Sequence, residues 1–382
     1  MNGGSVAIRL NPFKSDGVEL PILEGSSPVP WSGYGRILAE RPVFTLHPLF
    51  HAGLYYVQDS SAMFVGHVFR KTLPAAKGDR IRVLDLCAAP GGKTTDLAAS
   101  LRGIFGDGFE LVSNEVMKAR VRVLCDNAAI WGDPNVTVTS VDPAIIGRDL
   151  RGWFDVIVAD VPCSGEGMFR KDPSAEEQWS PELVKVCAAR QRRIISDVWP
   201  ALREGGVLVY STCTYEQSEN DDNLKWIASE LGGDIIPPDD EFASYGVERT
   251  DCGNLLRVGK VPGEGQWVGA LVKTSAAPSG RTLMPRPLWS RPSKGEMKGN
   301  RLVPNPDWAL SLEYDHSFPE AALDKKTALK FLHRDSFVLP PDSPRGFNLV
   351  TYKNVPLGFV NNLGNRCNNL HPQGRRILMD VE

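Results

Sequence analysis

Strands and helices alternate along residues 82–273, and this pattern constrains the fold more than any other feature of the chain. Apolar runs that end in acidic or small residues predict five buried parallel strands, at 81–86, 110–114, 136–141, 154–160 and 207–212. Helical patterns cover 94–101, 117–131, 181–202 and 216–231. A final strand at 267–273 is predicted to pair antiparallel with 255–260. The alternation predicts a doubly wound α/β domain.

Shorter elements flank this domain on both sides. We predict a strand at 5–11 and a helix at 59–70 that is capped by Asp59 or Ser60. The last part of the chain predicts a helix at 324–333, followed by β segments at 348–352 and 356–361. The predicted organisation is an α+β N-terminal domain (1–75), the doubly wound α/β domain (76–275), a Pro-, Gly- and Ser-rich linker (276–306) and a small β-rich domain (307–382).

The charge of the chain is divided unevenly. The net charge of −3 argues against a nonspecific nucleic-acid binder. Residues 281–382, however, carry 15 Lys and Arg against 10 Asp and Glu, a net charge of +5, which leaves −8 on residues 1–280. A basic C-terminal region on an acidic body is compatible with selective binding of RNA. We interpret the charged linker as solvated, in preference to an RNA-backbone contact.

The cysteines and the apolar runs exclude other classes of protein. The seven cysteines are scattered and no pair has C-x-x-C spacing, so we expect neither a metal site nor a disulfide framework. No apolar run reaches the roughly 18 residues of a membrane helix, and the first ten residues lack the features of a signal peptide. These observations predict a cytoplasmic protein with reduced thiols.

A glycine-containing turn follows the first predicted strand and opens a helix. It reads Asp-Leu-Cys-Ala-Ala-Pro-Gly-Gly-Lys over residues 85–93, and Gly91 and Gly92 allow a ligand to approach the backbone closely. The spacing is neither that of a P-loop nor G-x-G-x-x-G. Acidic residues follow the next three strands: Glu115, Asp142 and Asp160. These carboxylates could accept hydrogen bonds from the ribose and adenine of an adenosine, and the chain lacks a phosphate-binding loop for a pyrophosphate. The pattern therefore predicts S-adenosylmethionine as the cofactor.

Two cysteines stand at the ends of neighbouring strands, Cys163 after the fourth and Cys213 after the fifth. Methylation at carbon 5 of a pyrimidine requires such a thiol, because a thiolate that adds at carbon 6 turns the ring into a nucleophilic enamine. A carboxyl group at the N3 edge would stabilise that intermediate, a role open to Asp160. A second cysteine would assist release of the product. The residues alone do not decide which cysteine attacks.

The chain resembles the Sun family of RNA cytosine-5 methyltransferases. The motifs that carry the resemblance are RLNP (9–12), HPLFHAGLYYVQDSSAM (47–63), DLCAAPGGKT (85–94), SNE (113–115), DVPCSGEGMFRKDP (160–173), WSPE (179–182), QR (191–192) and GGVLVYSTCTYEQSEN (205–220). The segments VPLGFVNN and HPQGRRI, within 355–377, are similar to the PUA-like RNA-binding module of the bacterial small-subunit ribosomal RNA branch. The resemblance covers nearly the whole chain and is weakest over 233–345.

This resemblance implies a class I methyltransferase domain and a set of roles. Cys213 would be the nucleophile, and Cys163 would aid release of the product. The residues implied to contact S-adenosylmethionine are Cys87, Ala88, Ala89, Pro90, Gly91, Gly92, Lys93, Glu115, Asp142 and Asp160. The chain departs from the family pattern at Val161, where Ala is common, and at Pro143, where we expect Gly, which weakens the assignment of Asp142. The N-terminal helices usual in the family are largely missing, so we expect an incomplete first domain.

The expected substrate is an unstacked cytosine in RNA. The resemblance favours ribosomal RNA or the small ribosomal subunit as partner of a monomeric enzyme. Arg345, Arg366, Arg375 and Arg376 are the predicted RNA contacts, because their domain is basic. For Lys185, Arg190, Arg192 and Arg193, a solvated helix surface is the favoured interpretation. The alternatives are a transfer-RNA cytosine-5 methyltransferase and a non-catalytic RNA-binding assembly factor.

Overall fold

The computed structural model describes residues 5–76, 78–170, 173–277 and 282–381. Part of the predicted linker (278–281) and two residues of the motif at 160–173 (Lys171 and Asp172) lie outside the described residues. No helix within the described ranges is long and apolar enough to cross a membrane.

An N-terminal domain precedes the large sheet. Its elements are β1 (Ala7–Leu10), β2 (Ser27–Val29), β3 (Ser32–Ile37), α1 (Pro48–His51), β4 (Tyr55–Val57) and α2 (Phe64–Thr72). The strands form an antiparallel sheet in the order β2-β3-β1-β4. The predicted cap of α2 is wrong, because the helix starts at Phe64 and Met63 makes no capping bond. The Asp59 carboxylate instead accepts from the backbone N–H groups of Ser61 and Glu264.

A nine-stranded sheet among the described residues forms the body. Its elements are β5 (Ile81–Asp85), α3 (Gly92–Phe105), β6 (Phe109–Asn114), α4 (Lys118–Trp131), β7 (Val136–Thr139), α5 (Pro143–Asp149), β8 (Phe154–Asp160), α6 (Pro173–Gln178), α7 (Pro181–Val198), β9 (Leu202–Thr212), α8 (Asp221–Ile227), β10 (Gly233–Ile236), β11 (Glu248–Arg249), β12 (Gly253–Leu256) and β13 (Gln266–Lys273).

The strand order confirms the predicted α/β fold. Strands β7, β6, β5, β8 and β9 are neighbours in that order and run parallel. Strand β13 runs antiparallel to β9, and both β10 and β12 pair with its other edge. The carboxyl ends of the five parallel strands therefore meet at one edge of the sheet. Apolar side chains on both faces are buried, as expected of strands covered by helices on each side.

The boundaries differ from the prediction where local chemistry overrides periodicity. Helix α7 ends at Val198, because a tight turn follows at 199–201 and Pro200 has no N–H to continue the helix. Helix α8 begins at Asp221, five residues later than predicted. Asn220 holds the preceding residues in a turn by donating to the Thr214 carbonyl and accepting from the Thr212 hydroxyl. Helix α5 was not predicted: Asp142 caps it and Pro143 is its first residue.

The C-terminal region contains a hairpin and a small sheet. Its elements are β14 (Gly295–Lys298), β15 (Arg301–Pro304), β16 (Glu320–Ala322), α9 (Lys325–His333), β17 (Gly346–Tyr352), β18 (Val355–Asn362) and β19 (Cys367–Asn369). The hairpin of β14 and β15 lies inside the segment predicted to be a linker. The small sheet shares an apolar core with the N-terminal domain, in which Ile8 and Leu49 pack with Phe331 and Val350.

The predicted linker is partly docked on the body. Strand β7 is the edge of the large sheet, and Val138 exchanges backbone hydrogen bonds with Leu288 and Trp289 of the linker. The Trp289 indole donates to the Asp307 carboxylate at 3.0 Å. This part of the linker covers a strand edge that would otherwise expose unpaired backbone groups, whereas the charged side chains of Arg286, Arg291, Lys298 and Arg301 are exposed.

Candidate active site

The loop over residues 87–92, here called the cofactor loop, joins β5 to α3 at the carboxyl edge of the sheet. Gly91 precedes the helix with a φ of 113°, a value that L side chains rarely adopt. A Cβ atom on Gly91 would lie 3.3 Å from Leu124 Cδ1. Burial raises the pKa of the Cys87 thiol, so this cysteine is a neutral group in the loop. The loop therefore presents backbone atoms at a helix N-terminus, the feature that motivated the cofactor prediction.

Asp85 stands directly before the cofactor loop and is fully buried. Its Oδ2 accepts from the Thr94 hydroxyl at 2.7 Å, whereas Oδ1 has no hydrogen-bond partner among the described residues. Burial raises the pKa of Asp85 to about 7. The sequence analysis placed Asp85 in the motif at 85–93 and assigned it no role. Its position at the end of a strand, before a glycine-containing turn, is the sequence feature that marks it as a candidate site residue.

Glu115 and Asp142 follow β6 and β7 at the same edge. Glu115 is buried; its Oε1 accepts from the Met117 amide at 2.9 Å. Its Oε2 lies 3.3 Å from Arg120 Nη1 and accepts no hydrogen bond from any described residue. Asp142 is exposed, and its Oδ1 accepts from Ala144 N as the helix cap. Each carboxylate has one oxygen that accepts no hydrogen bond from a described residue, so this acceptor set fits the hydroxyl and amino groups of an adenosine.

Asp160, at the end of β8, is held from two sides. Its Oδ2 accepts from Lys93 Nζ at 2.7 Å, and its Oδ1 accepts from Ser211 Oγ at 2.7 Å. Burial alone would lower the pKa of Lys93, but the adjacent Asp160 carboxylate raises it above its usual value. Lys93 is therefore a cation, and it pairs with Asp160 between the cofactor loop and the ends of β8 and β9.

The two predicted cysteines are in contact. Cys163 Sγ and Cys213 Sγ are 3.2 Å apart, and the Cys213 amide donates to Cys163 Sγ at 3.3 Å. The hydrogen bond with Cys213, together with burial, raises the pKa of Cys163. Cys163 is thus a neutral thiol near neutral pH, and it can donate a hydrogen bond to the sulfur of Cys213.

Two acids, the half-buried Glu166 and the buried Glu219, fix the two cysteine-bearing loops, a feature that sequence reasoning missed. Glu166 accepts from the Thr214 hydroxyl and the Tyr215 amide, both at 2.8 Å, immediately after Cys213. Glu219 accepts from the Ser164 amide at 3.2 Å and from Gln191 Nε2 at 2.6 Å. Both acids lie inside motifs that carried the resemblance, which was the available signal. Their hydrogen bonds limit the movement of the sulfur atoms.

The predicted RNA contacts fall into two groups. Arg345, Arg366 and Arg376 are exposed, and none of them forms an ion pair with the residues that the structure describes. Arg375 differs, because its guanidinium is 10% exposed and binds Asp126 and Asp307, both at 2.7 Å. Its position contradicts the prediction of an RNA contact: Arg375 joins the C-terminal domain to α4. Arg192 is also engaged, donating to Asn223 at 2.7 Å.

One cluster outside the candidate site combines side chains that could hold a metal ion. The candidate ligand atoms of His67, Asp239 and Glu241 lie within 4.8 Å of one another. Lys71 Nζ is 2.9 Å from Asp239 Oδ2 and 2.5 Å from Glu241 Oε2. Because this ammonium already compensates the carboxylates, we interpret the cluster as an ion-pair network, and the expectation that the protein needs no metal stays a prediction.

The fold and the site together define a class of protein. A sheet of five parallel strands continued by an antiparallel strand, with a glycine-containing first turn and acids in place of a phosphate cradle, is the architecture of S-adenosylmethionine-dependent methyltransferases. Three family models match the chain: "16S rRNA methyltransferase RsmB/F" over 71–231, "N-terminal domain of 16S rRNA methyltransferase RsmF" over 3–60 and "Methyltransferase RsmF PUA domain" over 318–377.

The chain belongs to the RsmF family of 16S rRNA methyltransferases. It is 31% identical to the ribosomal RNA small subunit methyltransferase F of Klebsiella pneumoniae over 91% of this chain and 84% of that protein. Alignments with relatives of the same name from Pectobacterium atrosepticum and Escherichia coli cover 53% and 58% of those proteins. Family membership confirms the predicted resemblance and the predicted cofactor.

Solved structures support the fold. The structure of NSun6 from Pyrococcus horikoshii with SFG is 25% identical, with a TM-score of 0.50, and the match covers 64% of this chain and 60% of that one. A methyltransferase homologue from the same organism is 24% identical, with a TM-score of 0.55, over 71% of this chain and 87% of that one.

Proposed function

We propose that this protein forms 5-methylcytosine in small-subunit ribosomal RNA through a covalent bond between Cys213 and carbon 6 of the cytosine. The contact of 3.2 Å between Cys163 Sγ and Cys213 Sγ, at the ends of β8 and β9, carries the proposal. These are the strand ends beside the cofactor loop, where a substrate base would meet a methyl donor. Free thiols this close, each on a separate loop that Glu166 and Glu219 fix by hydrogen bonds, suit a reaction that must form and break a carbon–sulfur bond.

The residues of the chain divide the chemistry between them. The Cys213 thiolate bonds to carbon 6, and the displaced electron pair makes carbon 5 nucleophilic. Asp160, paired with Lys93, faces the N3 edge of the base. N3 takes up a proton from solvent as the thiolate adds and loses it when the thiolate leaves, and Asp160 stabilises the altered ring by accepting a hydrogen bond from N3–H. Bound S-adenosylmethionine supplies the methyl group that carbon 5 receives. Loss of the carbon 5 proton to solvent restores the double bond and expels the Cys213 thiolate, and the Cys163 thiol stabilises this leaving group by donating a hydrogen bond.

The residues that would hold the cofactor surround the same edge. The cofactor loop, with Lys93 following it, would lie against the methionine part and the ribose. Glu115 would accept from the ribose hydroxyls, and Asp142 would accept from the adenine amino group. Glu115 Oε2 supports this arrangement: it is buried and accepts no hydrogen bond from a described residue, although Arg120 Nη1 lies 3.3 Å away, and a buried carboxylate oxygen requires a donor.

The choice of substrate and the roles of the domains follow from the relatives and from the charge. Relatives named ribosomal RNA small subunit methyltransferase F align with most of the chain. Exposed Arg345, Arg366 and Arg376 in the basic C-terminal domain (307–382) would contact the RNA backbone. Residues 76–275 would catalyse, 1–75 would pack against the body and bind RNA, and 276–306 would connect the domains in a monomer.

Methyl transfer to defined RNAs tests the proposal. The wild type and the variants Cys213→Ala, Cys163→Ala and Cys367→Ala are incubated with labelled S-adenosylmethionine and small subunits, naked small-subunit RNA or transfer RNA. The labelled nucleoside is then identified by mass spectrometry. We expect 5-methylcytosine in a small-subunit substrate for the wild type and Cys367→Ala, a half-buried thiol that serves as control, and none for Cys213→Ala. Labelling of transfer RNA alone would contradict the substrate, and another labelled nucleoside would contradict the reaction.

A further inference from the structure

Arg9 crosses from the N-terminal domain into the body. It lies in β1, and its side chain is fully buried. Within its own domain the guanidinium donates from Nε to Gln58 Oε1 at 2.9 Å. Its face lies 4.8 Å from the centre of the Trp131 ring of α4. Burial of a guanidinium is costly unless its N–H groups are hydrogen-bonded and its charge is balanced. The groups that Arg9 binds therefore indicate its role.

The remaining partners of Arg9 lie in the first turn of α3. Nη2 donates to the Gly92 carbonyl at 3.2 Å and to Thr95 Oγ1 at 2.5 Å, and Nη1 donates to the Thr95 carbonyl at 3.3 Å. The Thr95 hydroxyl is in turn 3.0 Å from the Gly91 carbonyl, to which it donates. Asp96 Oδ2, 3.8 Å from Nε, balances the charge. Arg9 therefore holds both glycines of the cofactor loop, one directly and one through Thr95.

Two further carbonyls of the cofactor loop are held in the same way. Arg120 donates to the Ala89 carbonyl at 2.5 Å, and Asn127 donates to the Pro90 carbonyl at 2.7 Å. The loop contains two adjacent glycines, which lose much conformational entropy when they are ordered. Side chains that fix its carbonyls from outside restrict the loop before a ligand arrives. Two of these side chains belong to α4, whereas Arg9 belongs to another domain.

We propose that Arg9 is a positioning residue through which the N-terminal domain preorganises the cofactor loop for S-adenosylmethionine. The inference rests on the proposed role of this loop, and it gives the N-terminal domain a part in cofactor binding besides any contact with RNA. A domain contact that does not involve the loop provides the comparison. Lys14 Nζ, also in the N-terminal domain, donates to the Ile130 carbonyl at 2.8 Å, at the far end of α4.

The test compares Arg9→Lys with Lys14→Met in the full chain. We expect Arg9→Lys to weaken S-adenosylmethionine binding about tenfold in calorimetry, because lysine cannot span Gly92 and Thr95 together. In turnover, the KM for S-adenosylmethionine should rise while kcat at saturating cofactor changes less than about threefold. RNA affinity should stay within about twofold of wild type. Lys14→Met should lower the melting temperature and leave the cofactor affinity unchanged.

The outcomes separate this inference from the proposed function. An unchanged cofactor affinity in Arg9→Lys, or equal weakening in Lys14→Met, would overturn the role of Arg9. If Arg9→Lys does not fold, Thr95→Val keeps the side-chain shape and removes the hydroxyl through which Arg9 reaches Gly91. An unchanged cofactor affinity in Thr95→Val would also contradict the role of Arg9. If Gly91→Val binds the cofactor as tightly as wild type does, the proposed cofactor site itself is wrong. If Gly91→Val binds S-adenosylmethionine more weakly and Arg9→Lys binds it as wild type does, the proposed role of Arg9 is wrong and the proposed cofactor site stands.

Discussion

The buried carboxyl group of Asp85 lowers the free energy of unfolding of the protein at neutral and higher pH. It is buried with one oxygen unpartnered among the described residues, and burial raises its pKa to about 7 from an ordinary 3.8. Ionisation is therefore easier in the unfolded chain than in the folded one. The stabilising effect of the protonated acid is complete below pH 3.8 and is lost as the pH rises through about 7.

Asp85→Asn should consequently stabilise the protein above neutral pH. The amide still accepts from Thr94 and is never ionised, so we expect a gain of up to about 4 kcal/mol at pH 8 that shrinks as the pH falls toward 4. Urea unfolding between pH 5 and 8 measures it. Asp315→Asn is the control of opposite sign, because Lys294 lowers the pKa of Asp315 to about 2. A pH-independent difference between Asp85→Asn and wild type would contradict the assignment.

Residue roles at the cysteine pair could be foreseen only in part. The positions of Cys163 and Cys213 at two strand ends were predictable, since parallel strands share an edge. Their contact and the raised pKa of Cys163 were not, because both depend on loops that Glu166 and Glu219 fix through long-range hydrogen bonds.

The turn between β5 and α3 is the element on which the proposed cofactor site depends. Gly91 has a φ of 113°, so Gly91→Ala should destabilise the protein by about 1–3 kcal/mol and weaken S-adenosylmethionine binding. Gly103 provides a matched control in the same helix, because it is exposed and a Cβ there meets nothing within 4 Å. Gly103→Ala should instead stabilise by about 0.5–1 kcal/mol. Denaturant unfolding and calorimetry measure both, and equal effects of the two variants would be inconsistent with this view of the turn.

Among the elements, buried strands were the most predictable. The apolar runs at 110–114 and 154–160 correspond closely to β6 and β8, because strands buried on both faces leave a continuous pattern. Helix α5 escaped prediction, since its seven residues are too few for a clear period. The start of α8 was misplaced because Asn220 and Thr214 form a turn whose hydrogen bonds no periodicity reports.

At the scale of the whole molecule, Arg375 ties the C-terminal domain to the body. Its guanidinium bridges Asp126 of α4 and Asp307, and Asp307 also accepts from Trp289 of the docked linker. Sequence reasoning assigned Arg375 to RNA because it could see the charge of the domain and not the two acids. The fixed position of the domain sets where its exposed arginines lie relative to the active site.

Arg375→Gln should therefore loosen the C-terminal domain. Removing one partner of a buried ion pair leaves an unbalanced charge and costs about 3–5 kcal/mol. Differential scanning calorimetry should show a lower or split transition. Arg376→Gln, next to it and exposed, should leave the transition unchanged and weaken RNA binding in a salt-dependent manner. If Arg375→Gln instead weakens RNA binding and leaves the thermal transition unchanged, Arg375 is an RNA contact after all.

The covalent intermediate tests the central claim most directly. Cys163→Ala is incubated with S-adenosylmethionine and the small-subunit substrate, the denatured protein–RNA species is digested, and the peptide that carries the nucleotide is identified by mass spectrometry. We predict a denaturant-stable species with the nucleotide on Cys213, and none in Cys213→Ala or in the double variant. A nucleotide on another residue, or a species that persists in Cys213→Ala with the nucleotide on Cys163, would contradict the assignment of the nucleophile.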